Sequence, residues 1–549
     1  MLFDNLYKHE LKDALITEKG ERIKYGELLA KIKQVKLGEA RKLVFIYVEN
    51  NVSSIIAYIA CIQSNHPVLL LNPDSREQNQ DITDLYQPNI IINCVNDQLM
   101  IENVHDKFID MHPELSVLLS TSGSTGSPKL VKLSKSNISA NTDAICQYLE
   151  LTDSDRAITT LKFNYSYGLS IINAHLNVGG SIFLTDISIT DKSFWAYFFK
   201  YNITSFSGVP YSYELLRRQE IDFSSFQSLR YLTQAGGRLA PELVKHFSQQ
   251  GSNGKFDFFV MYGQTEASPR ISYLPAKYIH EYSDCIGMAI PNGELQIVDV
   301  NNNQISSTKQ QGELRYKGPN VMMGYAYHTK DLATKESIEW LYTGDIAVKN
   351  AQGLFKLVGR VSRFVKPYGV RISLDDIQAD LSAQNMLVGV TSVEEHIVIA
   401  IESVMNNFSK AEITAILSEK YKIPESSFQV YLVEGIPTLS NGKINYHAIK
   451  NLTTTDLTSE TRGLRTFFKL FAEEFLTAIG NKKHTWSNLI ELFIFYFPNE
   501  KIGFDSTFSS LSGDSLQYVS VSLEIESYLG LLPAQWHIKS IEELEGMRK

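Results

Sequence analysis

A run of hydroxyls, glycines and one lysine lies at residues 120–129 (STSGSTGSPK), directly after the apolar run 115–119. The apolar run predicts a buried strand, and the polar run predicts a loop at its end. Glycines let backbone N–H groups approach an anion, hydroxyls donate hydrogen bonds and an ammonium offsets charge, so this composition suits a polyphosphate. The Walker A spacing is not met, because two residues separate the last glycine from Lys129. An ordinary Ser/Gly surface loop is the alternative for this stretch taken alone.

Two acidic motifs could act on such a ligand. In residues 262–266 (YGQTE), which follow a predicted strand, the aromatic ring can stack on a base and Glu266 can supply a hard oxygen ligand for magnesium. Residues 342–345 (YTGD) predict a tight turn, from which Asp345 can accept both hydroxyls of a ribose. Taken alone, an acid after a strand is more often a helix N-terminal residue, and an aspartate in such a turn is as often an Asx turn.

Two basic motifs could contribute positive charge. Residues 359–366 (GRVSRFVK) lie where a large and a small α/β part meet, so we expect a hinge there, and Arg360 could reach a ribose or a phosphate. A plain linker is the alternative. Residues 437–444 (PTLSNGKI) place Lys443 on a turn, from which it could reach both a carboxylate and a phosphate in a closed site. Most exposed lysines, however, only solvate the surface.

The elements that must position these motifs alternate along the chain. Short apolar runs predict strands and are separated by helical segments, as in βαβ units with a parallel sheet. A smaller α/β unit follows at 363–452. Ligands of such sheets bind beyond the carboxyl ends of the strands, where the loops quoted above begin. The predicted strands lie at 43–48, 67–71, 90–92, 157–161, 181–185, 205–210, 258–261, 387–393 and 396–401.

The composition is that of an ordinary soluble globular protein. The 549 residues require about three domains, and 44% of them are hydrophobic and 21% charged. A net charge of −9 without a basic run argues against a nucleic-acid partner. The apolar runs are too short for a membrane span, charge interrupts the N-terminus too early for a signal peptide, and the four cysteines lack zinc spacing. We therefore expect reduced, buried thiols in a cytoplasmic protein without a membrane span.

Six motifs stand in the order found in the adenylate-forming superfamily, which includes acyl-CoA synthetases, luciferases and the adenylation domains of nonribosomal peptide synthetases. Each is weak alone, but together they resemble this superfamily over roughly residues 1–450. The resemblance implies an α/β fold, with a large N-terminal adenylation domain of βαβ-type sheets at 1–358. It also implies a smaller mobile α/β subdomain at 359–452, hinged near 359–363. The motifs lie at 120–129, 262–266, 312–325, 342–345, 359–360 and 441–443.

The resemblance implies activation of a carboxylic acid with ATP and Mg²⁺. Glu266 resembles the magnesium ligand, and Lys443 resembles the lysine that bridges the substrate carboxylate and a phosphate. With Thr125 these are the expected catalytic residues. The expected phosphate ligands are Thr121, Ser122, Gly123, Ser124, Thr125, Gly126 and Lys129. The remaining expected ATP/AMP ligands are Gly236, Gly237, Tyr262, Gly263, Thr265, Asp345 and Arg360.

Residues 163–168 (FNYSYG) resemble the substrate segment of the superfamily. Amino-acid-activating members have an aspartate where Asn164 stands, and asparagine cannot form that ion pair with an ammonium group, so an α-amino acid is disfavoured unless another carboxylate serves. Tyr165 replaces the gating histidine of many acyl-CoA synthetases and is either a substrate-side wall or core packing. The expected pocket residues are Asn164, Tyr165, Tyr167 and Gly168.

In this superfamily the small domain rotates after adenylation and opens a channel for a thiol. The resemblance places Gly369 in that channel. Ser362 stands where an aspartate or lysine is common at the hinge, so the energetics of the hinge do not transfer from the family.

The C-terminal part resembles acyl and peptidyl carrier domains. Residues 511–516 (LSGDSL) precede a predicted helix, and the serine of such domains carries 4′-phosphopantetheine, so Ser515 is the expected attachment site. The resemblance implies a small all-α four-helix carrier domain at 486–549, after a linker with an uncertain helix at 453–485. A simple helix cap is the alternative reading of the serine.

These expectations combine into one enzyme that adenylates a small carboxylic acid, releases pyrophosphate and transfers the acyl group to the thiol on Ser515. The expected partners are a phosphopantetheinyl transferase and a downstream acyl-accepting enzyme, with no nucleic acid and no membrane. Two alternatives stay open. One is an AMP-forming acyl-CoA ligase with a degenerate tail, and the other is a catalytically silent carrier scaffold.

Overall fold

The computed structural model describes residues 2–120, 129–308, 310–365, 367, 372–382, 384, 386–393, 396–402, 408–438, 444–453, 486–497, 501–511, 521–522, 524–525, 528–529, 533 and 536–547. The chain divides into two units, residues 1–453 and 454–549. Within the first unit the strands are numbered β1 to β25 and the helices α1 to α11 along the chain.

A nine-stranded sheet carries several of the predicted site motifs. Its strands are β1 (Asp13–Thr17), β2 (Arg22–Lys24), β9 (Arg156–Ile158), β10 (Ser181–Leu184), β11 (Ser205–Gly208), β12 (Tyr231–Gln234), β13 (Asp257–Gly263), β14 (Arg270–Leu274) and β15 (Met288–Ala289). Their order is β15-β14-β13-β12-β11-β9-β10-β1-β2. The six strands from β13 to β1 in this order pair in parallel. β10, β11 and β12 are buried at every residue, as expected where helices cover both faces.

Two neighbouring strands of a seven-stranded sheet flank the predicted phosphate loop in the sequence. Its strands are β3 (Val44–Tyr47), β4 (Val68–Leu71), β5 (Ile90–Asn93), β6 (Met100–Asn103), β7 (Leu115–Ser120), β8 (Leu130–Ser134) and β18 (Tyr325–Ala326). Their order is β18-β8-β7-β4-β3-β5-β6. β7 and β8 are antiparallel, and Ser120 pairs with Leu130. The two strand ends therefore hold the loop between them.

Helices pack on these sheets. α2 is buried along nearly its whole length, because it shares one apolar core with strands of both large sheets. Asn51 caps this helix by accepting a hydrogen bond from the Ser54 N–H. The helices are α1 (Tyr25–Gln34), α2 (Val52–Gln63), α3 (Arg76–Tyr86), α4 (Lys135–Tyr148), α5 (Ser166–Val178), α6 (Lys192–Lys200), α7 (Pro210–Arg218), α8 (Pro241–Gly254), α9 (Leu374–Ser382), α10 (Lys410–Tyr421) and α11 (Tyr446–Asn451).

Smaller sheets complete the first unit. An antiparallel four-stranded sheet has the order β16 (Glu294–Val298), β17 (Gly312–Lys317), β19 (Leu341–Lys349) and β20 (Phe355–Arg360). Beyond it β21 (Phe364–Val365) pairs with β22 (Ile372–Ser373), and β23 (Val388–Val393), β24 (His396–Glu402) and β25 (Phe428–Val433) form a three-stranded sheet. These strands and α9 enclose a separate apolar core. The alternation of strands and helices confirms the predicted α/β class.

The four cysteines are unpaired thiols; Cys61, Cys94 and Cys285 are buried and Cys146 is half-buried. Burial raises the pKa of the Cys146 thiol to about 12. Among the residues that the structure describes, no helix is both long and apolar enough to cross a membrane.

The described residues of the second unit are largely helical. They include the helices Leu489–Tyr496 and Ile541–Glu545 and the short 3-10 helices Phe508–Leu511 and Trp536–Ile538. Apolar side chains from all four segments share one buried core. The predicted linker helix at 453–485 lies outside the described residues beyond Thr453, and the four-helix carrier architecture stays a prediction.

Candidate active site

The carboxyl ends of neighbouring parallel strands bring predicted nucleotide residues to one edge of the nine-stranded sheet. β12 ends at Gln234 and β13 ends at Gly263. Gly236 and Gly237 follow β12 directly, and the Gly237 carbonyl accepts a hydrogen bond from Gln234 Nε2 at 2.8 Å. Ligands of parallel sheets bind beyond this edge. The motif at 262–266 lies at the same edge.

The Asp345 carboxylate is buried, and both of its oxygens accept hydrogen bonds. Its side chain is 3% exposed, and Arg360 Nε donates to Oδ1 at 2.8 Å. The Tyr262 hydroxyl donates to Oδ2, and Gln264 Nε2 donates to the same oxygen at 3.3 Å. The Asp345 charge raises the pKa of Arg360, and burial together with that charge raises the pKa of Tyr262 well above its usual value. Tyr262, Asp345 and Arg360 are thus joined by direct contacts, and we call these three and Gln264 the Asp345 cluster.

The tight turn predicted around Asp345 is wrong, because Asp345 lies within β19. The register between β17 and β19 shifts at this point, which marks a bulge. Gly344 has a φ of +72°, a backbone conformation that residues with a side chain rarely adopt. A bulge can redirect a strand side chain, and here it accompanies the inward placement of Asp345.

Glu266 and Lys129 are connected through Tyr325. The Tyr325 hydroxyl donates to Glu266 Oε1 at 2.9 Å, and Lys129 Nζ lies 3.7 Å from the centroid of the Tyr325 ring. Tyr325 lies on β18 and pairs with Val131, two residues after Lys129. Burial and the Glu266 charge raise the pKa of Tyr325, so its hydroxyl keeps its proton. One side chain therefore separates the predicted magnesium ligand from the lysine of the predicted phosphate loop.

The residues present fit a magnesium ion that arrives with a nucleotide. Within the described part of the chain, no group of three His, Cys, Asp or Glu side chains could hold a metal ion. Magnesium is usually bound by one or two carboxylates together with substrate phosphates and waters. Tyr325 engages one oxygen of Glu266, and no described residue donates a hydrogen bond to the other. That oxygen can serve as the single protein ligand.

The predicted substrate segment packs on the start of α5. A Cβ placed on Gly168 would lie 2.4 Å from the Lys162 carbonyl oxygen. Only glycine therefore lets the turn that bears Asn164 and Tyr165 approach the helix backbone this closely. Both of these side chains are half-buried. Among the described residues, no hydrogen bond joins Asn164 to the predicted nucleotide ligands.

Tyr165 and Tyr167 form an aromatic wall beside the nucleotide motif. Their ring centroids are 6.3 Å apart in an edge-to-face arrangement, and burial raises the pKa of Tyr165 to about 12. Tyr167 is buried, and its hydroxyl donates to the Thr233 carbonyl oxygen at 3.1 Å. Between these tyrosines in the sequence, the Ser166 hydroxyl lies 3.3 Å from that of Thr265. The predicted substrate segment and Thr265 are thus in contact.

Sequence reasoning assigns no role to three residues of the candidate site. Gln264 and Tyr325 stand inside motifs that carry the resemblance, so their positions are a usable signal. Arg270 stands in no such motif, yet its guanidinium lies 4.1 Å from the centroid of the Tyr167 ring.

The segment after the Asp345 cluster leads into the small α/β part. β20 ends at Arg360, two residues beyond the predicted boundary at 358. Arg363 Nε donates to Asp375 Oδ1 on α9 at 2.5 Å, and its guanidinium lies 4.1 Å from the centroid of the Tyr446 ring. The expected hinge at 359–363 thus connects the Asp345 cluster directly to α9.

Several predicted site residues lie outside the described residues. They are Thr121, Ser122, Gly123, Ser124, Thr125 and Gly126 of the phosphate loop, Gly369 of the expected thiol channel, Lys443 and Ser515. For the loop, the structure describes only its two ends, Ser120 and Lys129.

Comparison with known families supports the resemblance found in the sequence. Residues 110–326 match the family model described as AMP-binding enzyme. This segment contains the predicted phosphate loop, the motif at 262–266 and Tyr325.

Two curated relatives match about three fifths of the chain. The oxalate–CoA ligase of Arabidopsis thaliana is 26% identical over 358 residues, which are 61% of this chain and 66% of that protein. The medium-chain fatty-acid–CoA ligase of Escherichia coli (strain K12) is 26% identical over 349 residues, 60% of each chain. This chain therefore spans less than two thirds of the length of either relative.

A solved structure shares the fold. The o-succinylbenzoate coenzyme A synthetase of Bacillus subtilis, solved in complex with ATP and a magnesium ion, aligns with a TM-score of 0.68 at 21% sequence identity. The alignment covers 81% of this chain and 98% of that chain. The chain thus shares the α/β fold of that synthetase.

Proposed function

We propose that this chain is an AMP-forming acid–thiol ligase. It joins a carboxylic acid to AMP with release of pyrophosphate, and then passes the acyl group to a thiol. The Asp345 cluster carries the proposal, because a buried carboxylate linked to a tyrosine at the end of β13 and to an arginine at the hinge suits a nucleoside. The match of residues 110–326 to the AMP-binding enzymes and the names of the curated relatives support it.

The roles of individual residues follow from the chemistry of the first step. A carboxylate that attacks the α-phosphate of ATP meets an anion with an anion, so positive charge must be supplied in a cleft that excludes water. A bound magnesium ion neutralises part of the phosphate charge. We assign Glu266 to hold it, Lys129 and residues 121–126 to hold the phosphates, and Lys443 to bridge the carboxylate and the phosphate. Asp345 and Arg360 orient the ribose, and Tyr262 packs against the base.

For the second step we propose that the thiol belongs to the chain itself. Phosphopantetheine on Ser515, attached by a phosphopantetheinyl transferase, would be the acyl acceptor, and a tether raises the effective thiol concentration at the adenylate. A downstream enzyme would collect the acyl group. The second candidate acceptor is free coenzyme A, which the curated relatives named as CoA ligases favour.

Exchange of labelled pyrophosphate into ATP tests the adenylation step. Wild-type protein should catalyse acid-dependent exchange, and Lys443→Ala should reduce its rate about 100-fold or more, since removal of one transition-state charge contact costs ~3 kcal/mol. Exchange that is absent for every acid would support the silent-scaffold alternative.

The acyl acceptor is tested by incubating the phosphopantetheinylated chain with ATP and an activated acid, followed by intact mass. Our proposal expects a mass shift on wild-type protein and none on Ser515→Ala, whereas pyrophosphate exchange is equal for both. Thioester formation by Ser515→Ala with added coenzyme A at the wild-type rate, without loading of the wild-type chain, would instead identify an acyl-CoA ligase.

A further inference from the structure

A buried arginine without an ion-pair partner lies next to the predicted substrate segment. Arg270 is 3% exposed, and its Nε has no hydrogen-bond partner. None of the ion pairs found among the described residues includes this guanidinium, although buried arginines are almost always paired with an acid.

Tyrosine side chains surround the guanidinium in place of a carboxylate. The group lies over the face of Tyr167, with its central carbon 4.1 Å from the ring centroid. The guanidinium donates a side-chain hydrogen bond to Tyr148, and its positive charge partly offsets the rise that burial causes in the pKa of Tyr148 and of Tyr165. Tyr148 is in turn stacked on Tyr273 at 4.4 Å. Contacts with aromatic rings reduce the energetic cost of burying the guanidinium, but they supply no negative charge to pair with it.

The backbone holds Arg270 firmly in this position. Arg270 opens β14 and is the register partner of Gly263 at the end of β13, so it lies at the edge where the nucleotide motif begins. Its carbonyl oxygen accepts hydrogen bonds from Asn141 Nδ2 at 3.0 Å and from Asn320 Nδ2 at 2.8 Å. Both amides are buried. Such supporting contacts are what a preorganised binding group requires.

A small cavity limits what fits beyond the guanidinium. Arg270 lines an internal space of about 10 Å³, whose other polar lining residues are Ser170, His175, Ser207, Tyr231 and Thr233 and whose remaining walls are apolar. A space of this size holds about one water molecule. An aliphatic chain that continued past Arg270 would therefore clash with the wall, and a short acyl group would end at this residue.

We propose that Arg270 binds a second carboxylate on the acid that the enzyme activates, so that the substrate is a short dicarboxylic acid. This inference depends on the proposed function, because it names the substrate of that activity. One carboxylate lies toward Glu266 and Thr265 and is joined to AMP, while the other forms a charge-assisted pair with the guanidinium. A substrate with an ammonium group in place of the second carboxylate is repelled, which agrees with the asparagine at position 164.

Acid-dependent pyrophosphate exchange tests the proposal with matched pairs of acids. The probes are malonate, succinate and glutarate, each beside the monoacid of equal chain length, together with monomethyl succinate and β-alanine. Wild-type protein should show a kcat/KM for the best diacid about 100-fold above its monoacid and its monoester. Arg270→Met should remove this preference, mainly by raising KM for the diacid about 100-fold, since loss of one partner of a buried charge pair has an effect of this size.

Two further variants separate the loss of the Arg270 charge from a general effect of replacing an arginine. Arg270→Lys retains the charge but not the two-pronged geometry, so it should recover part of the preference even if Arg270→Met folds poorly. Arg22→Met is the matched control, because Arg22 also lies over a tyrosine ring, at 6.0 Å from Tyr201, but pairs with Asp13 at the sheet edge. It should leave the ratio of diacid to monoacid unchanged.

A binding measurement separates this proposal from the activity itself. Succinate, but not butyrate, should raise the melting temperature of wild-type protein and of Lys443→Ala, and should not raise that of Arg270→Met. Exchange with monoacids at the same or higher efficiency than with diacids would overturn the dicarboxylate inference and leave the ligase proposal standing. Diacid stabilisation without exchange would keep the Arg270 site and remove the ligase. If diacids neither stabilise the protein nor support exchange, the dicarboxylate inference is wrong.

Discussion

Two buried charged residues near one edge of the nine-stranded sheet, Asp345 and Arg270, differ in whether the chain supplies an ion-pair partner. Asp345 has its negative charge balanced by Arg360 and both of its oxygens held by Tyr262, Gln264 and Arg360. Arg270 has an unpartnered Nε and lies among aromatic rings without an acid. The first charge is balanced by an opposite charge within the chain, whereas the second has no ion-pair partner among the described residues and, in our proposal, is balanced by the bound acid.

The difference shows how the two halves of a substrate site can be built. The nucleotide is the same for every enzyme of this kind, so neighbouring side chains can preorganise the carboxylate that is proposed to bind its ribose. The acid is what distinguishes one such enzyme from another. A buried charge left open at the acid side selects for a matching charge, because an isolated charge in a low-dielectric site is expensive.

The largest effect expected is that of Asp345→Asn. The variant leaves Arg360 without its partner and weakens the acceptor for the ribose, so kcat/KM for ATP in the exchange assay should fall about 1,000-fold. The free energy of unfolding should fall by about 1.5 kcal/mol, the cost of weakening hydrogen bonds to a charged group, because the Arg360 side chain is 56% exposed and its charge stays hydrated.

Glu339→Gln is the matched control for this prediction. Glu339 pairs with Lys317 at 2.9 Å on the surface, and such exposed pairs contribute little to stability because water and salt screen them. If Glu339→Gln lowered kcat/KM for ATP and the free energy of unfolding as much as Asp345→Asn does, the difference between the buried Asp345 carboxylate and a surface ion pair would be disproved.

A half-buried carboxylate, that of Glu214, sharpens the comparison through pH. Burial raises the pKa of Glu214 on α7 to about 7, an effect that the charge of Glu402 increases and that of Arg218 opposes. Because this pKa is above that of the unfolded chain, the folded state binds the extra proton. The contribution of Glu214 to stability is therefore fully present below about pH 4.5 and is lost as pH rises to about 7, by up to ~1.4 kcal/mol per pH unit.

Chemical unfolding followed by circular dichroism at several pH values measures this dependence. Burial also raises the pKa of Glu402, and the charges of Glu402 and Glu214 act on the phenol of the exposed Tyr211. Glu214→Gln should flatten the profile over this range. An unchanged slope in that variant would assign the titration to Glu402 instead.

Tyr325→Phe should have a smaller effect on catalysis. The variant keeps the ring beneath Lys129 but removes the hydroxyl that donates to Glu266. Loss of one hydrogen bond to a charged group is worth about 1.5 kcal/mol, so kcat/KM should fall about 10-fold. The effect should appear as a higher magnesium requirement in the exchange assay, since the freed carboxylate is no longer oriented. A change in the acid preference would contradict this assignment.

The smallest effect expected is that of Arg270→Met on stability. No ion pair among the described residues is lost, and a buried charge is replaced by an apolar side chain of similar length. The free energy of unfolding should therefore change by no more than about 1 kcal/mol, in contrast to Asp345→Asn. A loss of 3 kcal/mol or more in urea unfolding would mean that Arg270 already has an acidic partner within the chain.

The sequence predicts the fold class well because strand periodicity and helix length are local signals. The apolar runs at 67–71 and 258–261 correspond to β4 and β13 with shifts of one or two residues at their ends. The motifs likewise group Tyr262, Asp345 and Arg360 as expected ATP/AMP ligands, and these three residues are in contact although they are up to 98 residues apart in the chain.

What the sequence does not predict depends on long-range packing. The bulge that puts Asp345 inside a strand arises from the register between β17 and β19, so the local residues YTGD predict a turn instead. The sequence also does not predict that Arg270 is buried without an ion-pair partner among the described residues. Arginines are common on surfaces, and nothing in the sequence shows which of them is buried away from an acid. Tyr325 lies 59 residues from Glu266, and only their pairing through β18 and β8 makes the contact predictable.

The Asp345 carboxylate also has a consequence for the order of events. Its oxygens offer about four lone-pair sites, and three donors from the chain already use them. A ribose that took two of these sites would compete with Arg360, the last residue of β20 before the small α/β part. A bound nucleotide would therefore weaken the contact between Asp345 and Arg360. When AMP leaves, this contact would form again and fix the segment that leads into the small α/β part.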